Sequence, residues 1–373
     1  MVDSVWHGLS QDPDPRRAVA ELRSQIKDLG LDVLFFFCSP DYDLDEVGEE
    51  LKRSFNCPII GCTSSGQLGP VGFQKGGMSA TGFGGGNLAM VPHLIHPLVE
   101  FQDQVLRIAS SIHEAAPSGR NHAFGFLVID GLSMMEERVT SAIYQALENI
   151  PIIGGSAGDD LRFARTFVYF DGKFLSDAAV LASFRARGPV VPFMLKHFIP
   201  GEQNLVITDA DTDRRILREI NGEPAAEVYA RTLGVPLEDL GPEVFSRHPL
   251  IMAIGSDHHV RSIAKALPDR ALALYCAIDT GLVISIGKSV DPFELLDRAL
   301  SEARRKAGDP FAVLACDCIL RRLEFENIGS DREVGELMAR NQVFGFSTYG
   351  EQFNGIHVNQ TLTGIVLGRP GGA

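Results

Sequence analysis

The stretch Asn149–Asp160, NIPIIGGSAGDD, reads as a short buried strand, Pro151 to Ile153, running into a glycine-rich bend and then two acids. Nearly the same words stand earlier at Asn56–Gly66, NCPIIGCTSSG. What precedes them repeats as well. LDVLFFFC from Leu31 and HAFGFLVI from His122 are apolar runs, each followed by a polar turn and a helix-like segment. Downstream, each copy recovers another strand-like run, GGMSATGFGG from Gly76 and FLSDAAVLASF from Phe174. A fainter third copy lies near the C-terminus. FAVLACDCIL from Phe311 supplies its apolar run, Glu333–Arg340 its helix and VFGFSTYGE from Val343 its bend. IHVNQTLTGIVLG from Ile356 reads as its returning strand. Self-similarity of this kind marks a repeated supersecondary unit. The prediction is an α/β fold of two domains, built on repeated strand–helix–strand–strand units with mixed sheets. A glycine at a strand end either makes a sharp turn or lets backbone approach a ligand without a Cβ clash. Both readings stand at each bend, and three matched bends lean towards a shared pocket.

The chain has 373 residues, more than one ordinary core holds, which agrees with two domains. Its 45% hydrophobic and 22% charged residues are those of a folded globular protein. The formal charge is −14 and no Lys/Arg block stands out, so nucleic acid and anionic membrane are poor partners. No apolar run approaches the roughly 20 residues of a membrane span, and the start, MVDSVWHGLSQDPDP, is polar, so a cytoplasmic protein is expected. Cys316-x-Cys318 lacks a second matching pair, which argues against zinc.

Four stretches, IIGCTSSGQLG, GGSAGDD, INGEPAAEVY and FGFSTYGEQFNGIHVNQTLTGIVLG, occur in the order found in FIST-domain proteins, which the chain resembles from about residue 30 to 368. The resemblance implies a lead-in over 1–25, a FIST N-like domain over 26–200 holding two repeats, and a FIST C-like domain over 201–373 holding the third. It also implies a sensor of a small ligand, with amino acids proposed for the family. One branch, the nitric oxide sensing proteins, binds haem and acts beside histidine kinases or cyclic-di-GMP enzymes, that is, a diguanylate cyclase or phosphodiesterase. No kinase or GGDEF segment is visible here, so the signal is expected to pass to a separate partner.

If haem is bound, His197 is the expected iron ligand. It sits in FMLKHFI near the domain boundary, and a haem needs an imidazole in an apolar, concave setting. The competing reading is a packed core histidine. For a polar ligand such as an amino acid, the candidate residues are Gly61, Thr63 and Ser64 of the first bend, Gly154, Ser156, Asp159 and Arg162 around the second, and Glu351 at the third. His357 and Asn359 alternate with apolar residues on the strand expected after it, facing either water or a pocket. Together they offer the acceptors and the cation that a zwitterion requires. Gly154–Gly158 also matches the G-x-S-x-G nucleophile elbow, with Ser156 as nucleophile of a serine hydrolase. The helix that should follow is missing from DDLRFARTFVYF, which favours a plain turn and a protein that is not an enzyme.

Overall fold

The computed structural model describes residues 4–27, 30–115, 122–148, 150–254 and 257–371. In the first copy, strands Leu31–Cys38 and Ile59–Thr63 lie parallel, joined by the crossover helix Leu44–Ser54. Asp43 caps that helix by accepting from Glu46 N, and Val47 and Leu51 face inward. Met78–Gly84 returns antiparallel beside Leu31–Cys38, and Ser4–Ser10 pairs with its far side. The second copy repeats this with strands Leu88–Ile95, His122–Ile129, Ile152–Ser156 and Ala179–Ala186, and helices Phe101–Glu114 and Glu136–Ala146. The third uses strands Val190–Lys196, Pro310–Cys318, Val343–Thr348 and Thr361–Gly368. Its helices are Pro292–Ala307, Ile319–Ile328 and Asp331–Arg340.

Each copy also carries a short hairpin after its third strand and gives it to another copy's sheet. Gln67–Gly69 of the first extends the third sheet along Val343–Thr348. Val168–Phe170 of the second extends the first sheet, and Glu351–Phe353 of the third extends the second. The exchange is cyclic, so each sheet is completed by one other copy and all three close only together. The inner faces of the sheets meet in one core. There Phe35 stacks on Phe184 at 5.5 Å and meets Phe344 edge-on at 5.4 Å, joining all three copies. Helices cover the outer faces. Strands buried on both sides explain the unbroken apolar runs.

Two boundaries differ from the expected ones. The lead-in is part of the first repeat: Ser4–Ser10 is a strand and Pro15–Gln25 a helix, capped by Asp14. Gly8 makes this possible, because a Cβ there would stand 3.2–3.3 Å from Leu22 of that helix. The break at 200 is not the edge of a contiguous C-terminal domain. The third copy opens at Val190, and a second domain is inserted between its first strand and first helix. That insertion is an antiparallel sheet with helices Ala225–Leu233 and Pro242–Arg247 on a core of its own, including Leu205, Leu217, Tyr229, Phe245 and Leu272. Its neck is the two-residue pairing of Phe198–Ile199 with Lys288–Ser289.

Candidate functional site

The three repeated glycines have one job. A Cβ on Gly61 would lie 2.2 Å from Phe36 O, on Gly154 2.3 Å from Leu127 O, and on Gly345 1.8 Å from Ala315 O. Each lets the third strand of its copy close on the parallel strand beside it. The strands then end in bends that converge. Gly158 N donates to Thr63 O at 3.1 Å, joining the first two bends, and Ser347 N donates to Gly66 O at 2.8 Å, joining the first and third. Ser156 N donates to Gly350 O at 2.8 Å and Tyr349 N to Ser156 O at 3.2 Å, joining the second and third.

The second bend organises the junction. The Asp159 carboxylate accepts from the N–H groups of Phe163, Ala164 and Arg165 at 2.7–3.0 Å and from the Tyr349 hydroxyl. Its acceptor sites are thereby filled. Asp159 holds a strained loop in which Asp160, Leu161 and Phe163 have φ of 56°, 62° and 52°. Leu161 N in turn donates to Tyr349 Oη at 2.7 Å. Burial and the Asp159 carboxylate push the Tyr349 hydroxyl up, so it remains a donor. Phe163 lies over Tyr349 at 5.2 Å and within 5.7 Å of Tyr275 of the inserted domain. Arg162 stands outside the junction, in an exposed pair with Asp41 at 2.6 Å.

The remaining candidates are buried and mostly engaged. Thr63 Oγ1 accepts from Phe167 N at 3.1 Å, and Ser64 Oγ accepts from Gln67 Nε2 at 3.2 Å. Ser156 Oγ accepts from Gln352 Nε2 at 2.9 Å, and the same nitrogen lies 3.2 Å from His357 Nδ1. No imidazole or carboxylate of the described residues is hydrogen-bonded to Ser156 Oγ, and a loop follows it, so the elbow reading lacks both its base and its helix. Burial pushes His357 down to about 4, leaving a neutral ring. Asn359 falls in the turn between strands Ile356–Val358 and Thr361–Gly368, not on a continuous strand, and Nδ2 donates to Tyr349 O at 3.4 Å. The row His357, Asn359, Thr361, Thr363 is turned inward, whereas Ile356 is 40% exposed. Asn359 Oδ1, Gln352 Oε1 and Thr363 Oγ1 find no protein partner among the described residues.

Glu351 is fully buried, accepting from the Thr348 hydroxyl and from Thr361 N and Oγ1. Burial pushes it up to about 8 against the pull of those donors. A carboxyl raised in the fold contributes stability that is full below its unfolded value of 4.5 and lost as pH rises through about 8. The wild-type urea midpoint is therefore expected to fall between about pH 5 and about pH 9, with roughly 2–4 kcal/mol traced to this group. Glu351→Gln should flatten that decline. Equal declines in the two proteins would remove Glu351 as its source.

His197 does not stand open to a cofactor. It is fully buried, its Nδ1 accepts from Arg321 Nη1 at 2.7 Å, and its Nε2–H donates to Glu324 at 2.5 Å. Arg321 is itself held by Asp317 at 2.7 Å, and Ser289 donates to the other Glu324 oxygen at 2.8 Å. Burial and the Arg321 guanidinium push His197 down to about 4 against the pull of Glu324, so the ring is neutral. Phe198 packs at 4.2 Å from the ring. With both nitrogens committed and no exposed edge, these residues do not fit a haem. The expectation of an axial ligand gives way to a packed histidine tying the neck to the body. Nor do the described residues hold a group of three or more His, Cys, Asp or Glu placed to bind a metal ion.

Sequence reasoning missed this cluster and a second one. Arg215 of the inserted domain donates to Glu136 and Glu137 at 2.5 Å, and Ala277 N donates to Glu137 at 2.7 Å. Gln360 bridges Ser262 at 2.8 Å and Ser246 O at 2.6 Å. Only the Asp317–Arg321 pair carried a local signal, the i,i+4 spacing of opposite charges.

Three α/β copies joined at hydroxyl- and acid-rich bends, with one inserted domain clamped to them, make up the described molecule. The FIST N domain matches residues 32–223 and the FIST C domain residues 225–354, and the chain belongs to the FIST family, whose domains are sensory modules of signal-transduction proteins. No curated protein matches the chain. A crystal structure of cyanuric acid hydrolase from A. caulinodans aligns over 99% of both chains at 10% identity with a TM-score of 0.36, a likeness too slight to bear on function. No described helix is long and apolar enough to cross a membrane.

Proposed function

We propose that this protein binds a small polar ligand, an amino acid, and relays the event to a separate signalling enzyme, a histidine kinase or a cyclic-di-GMP enzyme. The observation that carries the reading is the ordered pair of FIST domains over residues 32–354. The build of the molecule supports it. The inserted domain is attached through a two-residue neck, the packing of helix Pro242–Arg247 against helix Ile319–Ile328, and polar contacts that include Arg215 to Glu136 and Glu137, Gln360 to Ser246 and Ser262, Lys196 to Asp257, and Glu324 to His197 and Ser289. Phe163 and Tyr349 at the bends touch Tyr275 of that domain. A ligand taken by Asn359, Gln352 and Thr363 would act beside these contacts and bias the position of the insertion, which is what a switch requires.

The test is thermal unfolding of the full chain against each of the twenty amino acids. Selective binding to the native state at 100 times Kd adds about 2.7 kcal/mol, a rise of a few degrees. One amino acid, or one closely related set, is expected to give that rise. No rise with any of them overturns the amino-acid reading. A Soret band in the purified protein, without any amino-acid shift, would favour nitric oxide sensing through a haem whose iron ligand is not His197.

A further inference from the structure

We infer that the outer face of the second sheet holds a separate binding site for an amphipathic carboxylate with a medium-length apolar tail. The inference comes from comparing the three copies. Counting back two residues from Phe36, Leu127 and Ala315, the partners of the repeated glycines, gives equivalent rows across each sheet. In the first sheet the row is Trp6, Gly82 and Leu34, and in the third it is Val191, Val366 and Val313. Trp6 and Leu34 fill the space under their helices, and so do the three valines. The second sheet has Val91, Ser183 and Gly125 in that row. Its side chains are too small to reach the helices above, and a cavity of about 360 Å³ remains between the sheet and the ends of helices Phe101–Glu114 and Glu136–Ala146.

The cavity has the division a ligand site needs. Its walls are mostly apolar, from Ala89, Val91, Ile112, Leu147 and Ile150, and its volume lies at the lower end of the range for small-molecule sites. The polar groups are few. His93 Nε2 and Ser183 Oγ satisfy each other at 3.0 Å, and burial lowers the pKa of His93, favouring a neutral ring. The Arg185 side chain, half-buried on the same wall, makes no hydrogen bond or ion pair with the described residues. In a protein of net charge −14, a guanidinium lining an apolar cavity without a carboxylate beside it is unexpected. Its planar fork matches a carboxylate. The site is independent of the sensory reading, since it binds whether or not the event is signalled.

Octanoate is the probe, titrated calorimetrically into the full chain, with 1-octanol as the uncharged comparator. One octanoate per chain is expected. Val91→Trp, which copies the first repeat at an exposed position, should abolish binding of both compounds. Arg185→Gln should weaken octanoate about tenfold, the loss of a charge-assisted hydrogen bond, and leave 1-octanol unchanged. Should Val91→Trp fail to melt cooperatively, Ser183→Val, which copies the third repeat, takes its place. No saturable octanoate binding, undiminished binding by the filled variant, or equal affinity in Arg185→Gln each overturns the inference.

Discussion

Gly345→Ala is expected to lower the free energy of unfolding by more than about 3 kcal/mol. The added Cβ would sit 1.8 Å from the carbonyl oxygen of Ala315 and 2.8 Å from its carbon. These are backbone atoms of a strand buried along its length, so no side chain can rotate out of the way. Relief requires the two parallel strands to separate, which breaks the register from Val313 to Cys318 and withdraws Phe344 and Phe346 from the shared core. Gly61→Ala and Gly154→Ala should act in the same direction with smaller losses, because their Cβ atoms would meet Phe36 O and Leu127 O at 2.2 and 2.3 Å. Gly69→Ala is the control. It is also a strand glycine, but nothing lies within 4 Å of its Cβ position, and its change should stay within about 1 kcal/mol. Urea unfolding of the four variants measures the series. If Gly345→Ala unfolds like Gly69→Ala, close strand approach is not why glycine recurs at the bends.

That recurrence was the most legible feature of the chain, because a backbone requirement repeated three times leaves the same letter three times. The apolar runs from Leu31, His122 and Phe311 were legible for a similar reason, since strands buried on both faces tolerate little else. The hairpin exchange was not legible. Gln67–Gly69 belongs by sequence to the first copy and by pairing to the third, and nothing local records which edge a hairpin will find. The two prolines of Ala186–Pro192 read as a loop, yet the strand Val190–Lys196 begins inside that stretch. Pro192 is tolerated there because the strand pairs on one side only, with Thr361–Gly368. At the site, the bends were found but the roles of their side chains were not. The sequence offers Asp159 as a ligand-binding acid, yet it is saturated by the loop that follows it. The apolar flanks of His197 suggest a cofactor ligand, while its partners, Arg321 and Glu324, come from a helix distant in sequence.

Those partners give the second large effect. Glu324→Ala is expected to cost about 3–5 kcal/mol, the range for removing one member of a buried ion-pair network. One carboxylate receives both strands of the neck, His197 on one side and Ser289 on the other. Without it, the His197 Nε2–H and the Ser289 hydroxyl lose their acceptor, and Asp317 alone remains to balance the buried Arg321. Glu324→Gln keeps an acceptor for one of the two donors and should cost less than half as much. Acid should reproduce part of the effect in the wild type. His197 is held neutral at about 4, below its unfolded value of 6.5, so its contribution is complete above about pH 6.5 and is lost as pH falls towards 4. The loss should also be local. The neck is held by the pairing of Phe198–Ile199 with Lys288–Ser289, the bond from Val290 N to His197 O, the contacts of Lys196 with Asp257 and His258 O at 2.8 Å and that of His258 Nε2 with Phe198 O at 3.0 Å, far fewer bonds than either core has, so it should open before the body or the inserted domain melts. Amide exchange over residues 198–199 and 288–290 is expected to accelerate in Glu324→Ala, and limited proteolysis should cut there and release the inserted domain. A variant with wild-type exchange at the neck and an unchanged urea midpoint would show that Glu324 is a passenger. Faster exchange at the neck alone, with the two cores still protected, would identify it as the latch between them.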